Sequence, residues 1–384
     1  MSITIGYEGN FLESITNLRS VLKKSIGRQP SVKIAKDATV CLQHGRLYFD
    51  AAIKAPMEIK PLLIFYGMAN YAKGLVVARN FKTLESLHQK HGVKDKSKAN
   101  ARLEELTVEI LEQGTFQEFN DTVCMLDCIF FTKESMTECV SLPTSNSEML
   151  QHKIITLKDI LARISGLESL YSATFSEEAK TSGFSLGFMK KNGYIELRID
   201  DKEIFTNVET RKSITEKWRR KYPFLKNWYL ILAEPAWDNS ILVFANVEKE
   251  SIDKLSDKIT EEENGNYHVA GGSLRNRNCN FVNFWEILDP SARGLMGGLE
   301  RLIEPFDNTH ISELSLYYLG MFLLSSLVRY RPQIWGHSIS RLVTSDSPSD
   351  DKALALIERF MESALSIFSD TIVKAMSIRI KEDT

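Results

Sequence analysis

Apolar residues in the first part of the chain recur at helical rather than strand spacing. After a short alternating segment at Ile3, Ile5 and Tyr7, the residues Phe11, Leu12, Ile15, Leu18 and Leu22 fall on one face of an amphipathic helix. The pattern turns at His44-Gly45 and changes character over Lys60 to Asn80, KPLLIFYGMANYAKGLVVARN. Pro61 suits a first helical turn, where the N–H it lacks would be unpaired anyway. Leu62, Phe65, Tyr66, Ala69, Ala72 and Val76 line one side, and Ile64, Met68, Tyr71 and Leu75 another. A helix apolar round most of its circumference is expected to be buried. Gly67 and Gly74 lie one heptad apart, in register with Lys60, and leave a narrow face that includes Asn70. Another backbone or a ligand can approach closely there.

Lys90 to Arg102 is basic and polar and reads as an exposed loop before a further helix. Ser141 to Glu148, SLPTSNSE, is the best boundary, because Pro, Ser and Asn together favour loop geometry. Ile154 to Leu170 reads as a helix. The period then changes. Ile195, Leu197 and Ile199 alternate with Glu196, Arg198 and Asp200 as in a half-buried strand, and Trp228 to Ala233 and Ile241 to Val247 are two further β-favouring runs around the turn-rich EPAWDNS. A small antiparallel sheet follows. Thr309 as N-cap and Glu313 in the first turn open a second apolar helix through Leu314, Leu316 to Leu319 and Met321 to Leu324. Pro332 restricts Arg331, so this helix should end near Tyr330. Its unbroken apolar run is short of the roughly 20 residues a bilayer needs, which predicts a core helix and no membrane span. Ala353, Leu356, Ile357, Phe360, Ala364, Ile367, Phe368 and Ile372 mark a last helix, capped by Asp350 or Asp351.

The expected fold is α+β and predominantly helical: a helical region over 1–140, a central α+β region with a small antiparallel sheet over 150–290, and a helical region over 291–384 that packs on the first. A chain of 384 residues with 43% hydrophobic residues and a net charge of −2 has ample material for such cores. That charge excludes a globally basic nucleic-acid binder, so any such site must be local. The N-terminus shows no basic stretch leading into an apolar one, and five scattered cysteines suit free thiols; both point to a cytoplasmic protein. Cys124, Cys128, Cys139 and His152 lack the paired spacing of a zinc site. Gly294, Gly297 and Gly298 lack the Lys-Ser/Thr of a phosphate loop. The carboxylates Glu196, Asp200, Asp201 and Glu203 lack a nearby strand lysine to complete a metal-dependent nuclease. No metal and no cofactor is expected.

Two local constellations carry candidate chemistry. Arg331 and His337, in RPQIWGH, fit the Arg-x(4 to 6)-His pattern and resemble the site of HEPN-type ribonucleases. That resemblance implies His as general acid or base towards a ribose 2′-hydroxyl and Arg as the phosphate-neutralising group. Six residues on an ideal helix set the two side chains about 120° apart, with Pro332 and Gly336 available to break that geometry. The second is RKSITEKWRRKYPFLKNW, where Arg211, Lys217, Arg219, Arg220 and Lys221 are interleaved with Trp218, Tyr222, Phe224 and Trp228. Basic residues track phosphates while aromatics stack on unpaired bases, so this is the best footprint for RNA or single-stranded DNA, and Arg275 and Arg277 extend it. The competing reading is an amphipathic helix whose aromatics enter the core and whose cations are solvated.

Lys60, Pro61, Tyr66, Gly67 and Lys73 in the first block, His91-Gly92 after it, and Arg329, Tyr330 and Trp335 in the second block resemble the hallmark segments of the YaaC-like family. These are bacterial proteins without an established activity, so the resemblance implies kinship and fold more than chemistry. Two functions are expected. One is engagement of RNA or single-stranded nucleic acid, as a HEPN-like ribonuclease or a stress or phage-defence component. The other is a non-catalytic module that binds a protein partner or small ligand at the Gly67–Gly74 face. Homo-oligomerisation suits either.

Overall fold

Helices dominate both ends of the chain. The structure, a computed structural model, describes residues 12–377 apart from 100, 127, 134–135, 142–143, 190–193, 205, 236–238, 247–258, 263–265, 270–300 and 340–348. The N-terminal part runs α1 (Ile15–Ile26), α2 (Val32–Lys54), α3 (Lys60–Asn80), β1 (Val93–Asp95), β2 (Thr107–Ile110) and α4 (Thr115–Leu126). Then come β3 (Cys128–Lys133), β4 (Met136–Ser141), α5 (Ser147–Leu150), β5 (Ile154–Thr156), α6 (Leu157–Leu161), α7 (Glu168–Phe175), β6 (Thr181–Gly183), β7 (Ser185–Met189) and β8 (Tyr194–Asp201). The rest is α8 (Val208–Lys221), β9 (Tyr229–Pro235), β10 (Ser240–Asn246), β11 (Ile259–Glu262), β12 (Asn266–Val269), β13 (Arg301–Ile303), α9 (Glu313–Tyr330), α10 (Pro332–Ile339) and α11 (Ser349–Ala375).

Helix α3 is the axis of the core. Pro61 occupies its first turn and its apolar sides pack against α2, α4, α9 and α11. Phe65 meets Tyr318 and Phe322 of α9 edge-on at 5.4 and 5.6 Å, and Tyr317 stacks on Phe360 of α11 at 5.4 Å. Residues from the two ends of the chain therefore share one apolar core. By length and composition α3 is apolar enough to cross a membrane, but 72% of its most apolar stretch is buried inside the fold. The central part contributes an antiparallel sheet in the order β7-β8-β10-β9, with Leu197 and Ile199 of β8 buried as the alternation predicts. The fold is α+β and mainly helical.

Several local expectations are corrected. His44-Gly45 is not a turn: both residues lie inside α2, where the missing side chain of Gly45 admits the Tyr71 ring. The Gly67–Gly74 face is closed. A Cβ on Gly67 would run into Phe49, and one on Gly74 would touch Leu42 and Cys41, so the glycines serve helix–helix contact with α2 and leave no groove. Lys90 to Arg102 contains β1, which pairs with β2, and Ile154 to Leu170 breaks into β5 and α6 before α7 begins at Glu168. The N-cap of α9 is Ser312, which accepts from the Ser315 N–H, and not Thr309. Helix α9 does end at Tyr330, but Pro332 opens α10 at once as its first residue. The segments at Ile3, Ile5, Tyr7 and Phe11 and the glycines at 294, 297 and 298 lie outside the described residues.

Candidate functional site

Helix α3 is buried nearly all round, and the exception is informative. Tyr66, Asn70 and Lys73, spaced i, i+4 and i+7, form a half-buried stripe. Asn70 donates to the Tyr66 carbonyl at 2.8 Å. Tyr66 lies 5.8 Å from the Tyr48 ring of α2, and beside the stripe Phe65 meets the far end of the chain. Helix α9 runs antiparallel to α3, with Phe65 level with Tyr318 and Phe322, and the Trp335 indole of α10 donates at 3.1 Å to the Glu58 carbonyl just before α3. Trp335 thus fastens α10 to the chain just before Lys60 and Pro61, and Arg329 and Tyr330 lie between that end and Phe322 in the chain.

His91 sits where these elements meet. Its ring is edge-on to Phe65 at 5.1 Å and tilted against Phe322 at 6.1 Å. The backbone fixes it there. Gly92 has φ +81° and Gly114 φ +151°, and the two glycines press against each other: a Cβ on Gly114 would overlap the Gly92 backbone, and one on Gly92 would overlap the Gln117 amide. Gln117 of α4 staples them by donating to the Gly92 carbonyl at 2.9 Å and to the Leu111 carbonyl at 2.6 Å. Gly92 is therefore required by conformation; the side chain available for chemistry is His91. Nothing in the sequence pattern pointed to Gln117.

Electrostatically this corner is one-sided. Burial pushes the His91 pKa below its usual range, and Arg329 and Lys73, the next causes, push the same way. Arg329 is half-buried, bends back to Ser325, whose carbonyl and hydroxyl it reaches at 3.3 and 3.5 Å, and lies 5.0 Å from the Tyr330 ring centroid. Lys73 is half-buried, and among the described residues neither cation has a carboxylate partner. The His91 ring likewise makes no hydrogen bond among them.

The other sequence candidates are placed differently. The Arg331 guanidinium donates to the Ser97 and Lys98 carbonyls at 3.0 and 3.3 Å and pairs with Asp95 at 3.4 Å; Asp95 also accepts from Ser326 at 2.8 Å. Arg331 straps the loop after β1 to the end of α9. His337 lies in α10, five residues after its first residue Pro332, and its side chain is outside the described residues. In the basic-aromatic segment, Trp218, Tyr222, Phe224 and Trp228 are all buried, with exposures of 8% or less. Trp218 donates to Asp201 and stacks on Tyr222, whose hydroxyl donates to the Leu302 carbonyl at 3.2 Å. Lys217 pairs with Asp201 and Glu203 at 2.7 Å each, Lys221 with Glu304 at 2.8 Å, and the buried Arg219 with Glu216 at 3.6 Å. Arg220 is exposed and Arg211 half-buried, while Arg275 and Arg277 lie outside the described residues. The aromatic faces point inwards and most of the cations are neutralised.

Beyond the Arg331 strap a groove of about 690 Å³ opens between the loop carrying Lys98 and Arg102 and the elements carrying Lys158, Tyr171 and Lys180. Its acids are engaged: Glu104 and Glu105 hold Arg102 at 3.2 and 3.3 Å, and Glu177 holds Lys158 at 2.8 Å. A second hollow of about 490 Å³ is lined by Asp121, Cys124, Met125 and Glu148. Among the described residues no cluster of His, Cys, Asp and Glu has the arrangement of a metal site.

A model of the family described as YaaC-like Protein matches residues 10–376, nearly the whole chain, and the chain belongs to that family. No curated protein and no solved structure matches it.

Proposed function

We propose that this member of the YaaC-like family is a non-catalytic recognition module whose small ligand sits on the face formed by Tyr66, Asn70, Lys73, His91 and Arg329. One observation carries the reading: residues from 60–80, 91–92 and 329–335, the segments that mark the family, meet on this one accessible face of an otherwise buried helix. A catalytic His needs a partner that orients it and a group to exchange protons with. Among the described residues the His91 ring meets Phe65 and Phe322 and makes no hydrogen bond, which supports binding over turnover.

Engagement of RNA by a HEPN-like pair at Arg331 and His337 is the competing proposal. Against it weighs the Arg331 guanidinium, already engaged by two carbonyls and Asp95. One experiment separates the two. The purified chain is surveyed by thermal shift against small metabolites and short RNA, with RNA cleavage assayed alongside. The module reading expects a small compound that raises the melting temperature of wild type and not of Asn70→Ala or His91→Ala. RNA cleavage lost in Arg331→Ala and His337→Ala but kept in His91→Ala would overturn it.

A further inference from the structure

The chemistry of the ligand follows from which charges are left uncompensated. Long side chains on a helix lean towards its N-terminus. Lys73 lies two turns beyond Phe65 on α3 and so leans back towards the level of Phe65 and His91. Arg329 lies two turns beyond Phe322 on the antiparallel α9 and leans back the other way, as its bonds to Ser325 show. The two cations approach His91 from opposite ends. Of the five N–H groups of a guanidinium and the three of an ammonium, the contacts among the described residues use two, both on Ser325. The Tyr330 ring provides the only further stabilisation of Arg329 among the described contacts.

Half-buried charges without a counter-charge cost free energy, and two of them beside one histidine repel each other as well. Several other half-buried cations among the described residues are paired: Arg46 with Glu13 at 2.6 Å, Lys217 with Asp201 at 2.7 Å, and Lys221 with Glu304 at 2.8 Å. Lys73 and Arg329 lack such a partner among the described residues, and both lie in the family segments. Held neutral, His91 offers one N–H donor and one acceptor between the cations.

We infer, on the reading of this face as the ligand site, that the ligand presents an oxyanion, a phosphate or carboxylate group of a small molecule, held against the His91 ring between the Lys73 ammonium and the Arg329 guanidinium. An anion there relieves the cation pair and takes the remaining donors, and the same charge favours protonation of His91. Binding therefore tightens as pH falls towards the range where His91 takes up a proton.

The test titrates inorganic phosphate into the full-length protein in a phosphate-free buffer and follows the His91 imidazole by NMR. Phosphate is expected to raise the His91 pKa in wild type. Lys73→Gln and Arg329→Gln are each expected to weaken phosphate binding at least tenfold, while Lys73→Arg, which keeps the charge, stays close to wild type. Acetate producing the same shift would assign the site to carboxylates as well as phosphates, and a shift with phosphate alone would assign it to phosphoryl groups. The inference is overturned if millimolar phosphate and acetate leave His91 unmoved in wild type, or if only an RNA oligonucleotide moves it. Because the first of these is read on wild type, instability of a variant cannot obscure it. A neutral or cationic compound found in the thermal-shift survey, with oxyanions inert at His91, would sink the oxyanion assignment and leave the recognition module standing.

Discussion

Gly67→Leu probes how closely α2 and α3 are packed. A Cβ at residue 67 would stand 2.6 Å from Phe49 Cε1, nearer still to Cδ1, and 3.1 Å from the Gly45 carbonyl oxygen, whereas carbon contacts settle at about 3.5–4.0 Å. Phe49 has nowhere to retreat. It is fully buried and lies edge-on to Tyr71 at 5.2 Å, and the Tyr71 ring already fills the space before Gly45. Two effects oppose each other. Replacing a helical glycine gains about 1 kcal/mol of propensity, while overpacking costs about 1–3 kcal/mol and more when the neighbours cannot shift. Alanine adds one carbon at the worst point, so the net loss should be about 1 kcal/mol; leucine adds four, and the net loss should reach about 3 kcal/mol. For a chain of 384 residues, unfolding entropy is about 0.8 kcal/mol per degree, so leucine should lower the melting temperature by about 4 °C. Gly336→Ala is the control, because a Cβ there meets nothing within 4 Å on an exposed helical position, and it should melt at or slightly above wild type. If Gly67→Leu melts like wild type, the helices are not in contact at this face and the accessible stripe has been misplaced.

Gly92→Ala should cost several kcal/mol, about 1–2 from the left-handed backbone and the rest from the overlap with Gln117; circular-dichroism melting would show it, and a neutral result would remove the reason for the glycine pair. Tyr318→Phe should be neutral or stabilising by about 1 kcal/mol, because the Tyr318 hydroxyl is fully buried without a hydrogen-bond partner among the described residues; a clear loss of stability would mean that the hydroxyl is engaged. His310 is held neutral by burial, which lowers its pKa from 6.5 to about 4. Between these values the unfolded chain binds a proton that the folded one refuses, so stability should fall by up to about 3 kcal/mol as pH drops through this window. His310→Phe should flatten the dependence of melting temperature on pH over that range, and an unchanged slope would place the acid sensitivity elsewhere.

The long core helices were legible because α3 and α9 are apolar on almost every side and Pro61 and Pro332 mark their ends. Strand β8 was legible from its alternation and β9 and β10 from their β-favouring apolar runs, although Glu196 of β8, on the polar face, is buried. The misreadings share a cause. His44-Gly45 resembles punctuation in one dimension, yet a glycine inside a helix equally marks a site where a neighbouring ring comes close, and only the partner, here Tyr71, decides. Strands β1, β2 and β5 are three or four residues long, too short for alternation to stand out, and Ile154 to Leu161 satisfies both periods. The aromatics from Trp218 to Trp228 form a stripe that reads the same whether it faces bases or a core; the buried Asp201 and the Leu302 carbonyl, which take their polar tips, are far away in sequence. For the candidate site, the residues themselves stood out, but not their meeting. Positions 73, 91 and 329 are joined by the antiparallel packing of α3 and α9, which no local pattern encodes.

That meeting is tested most directly by the pKa of His91 in the ligand-free protein, read from its imidazole resonances by NMR. Burial, and after it the charges of Arg329 and Lys73, should hold His91 below its ordinary value of 6.5, and its pKa should rise in both Lys73→Gln and Arg329→Gln. A His91 that titrates at or above 6.5 and is unmoved by either substitution would mean that the two ends of the chain do not bring these cations to it.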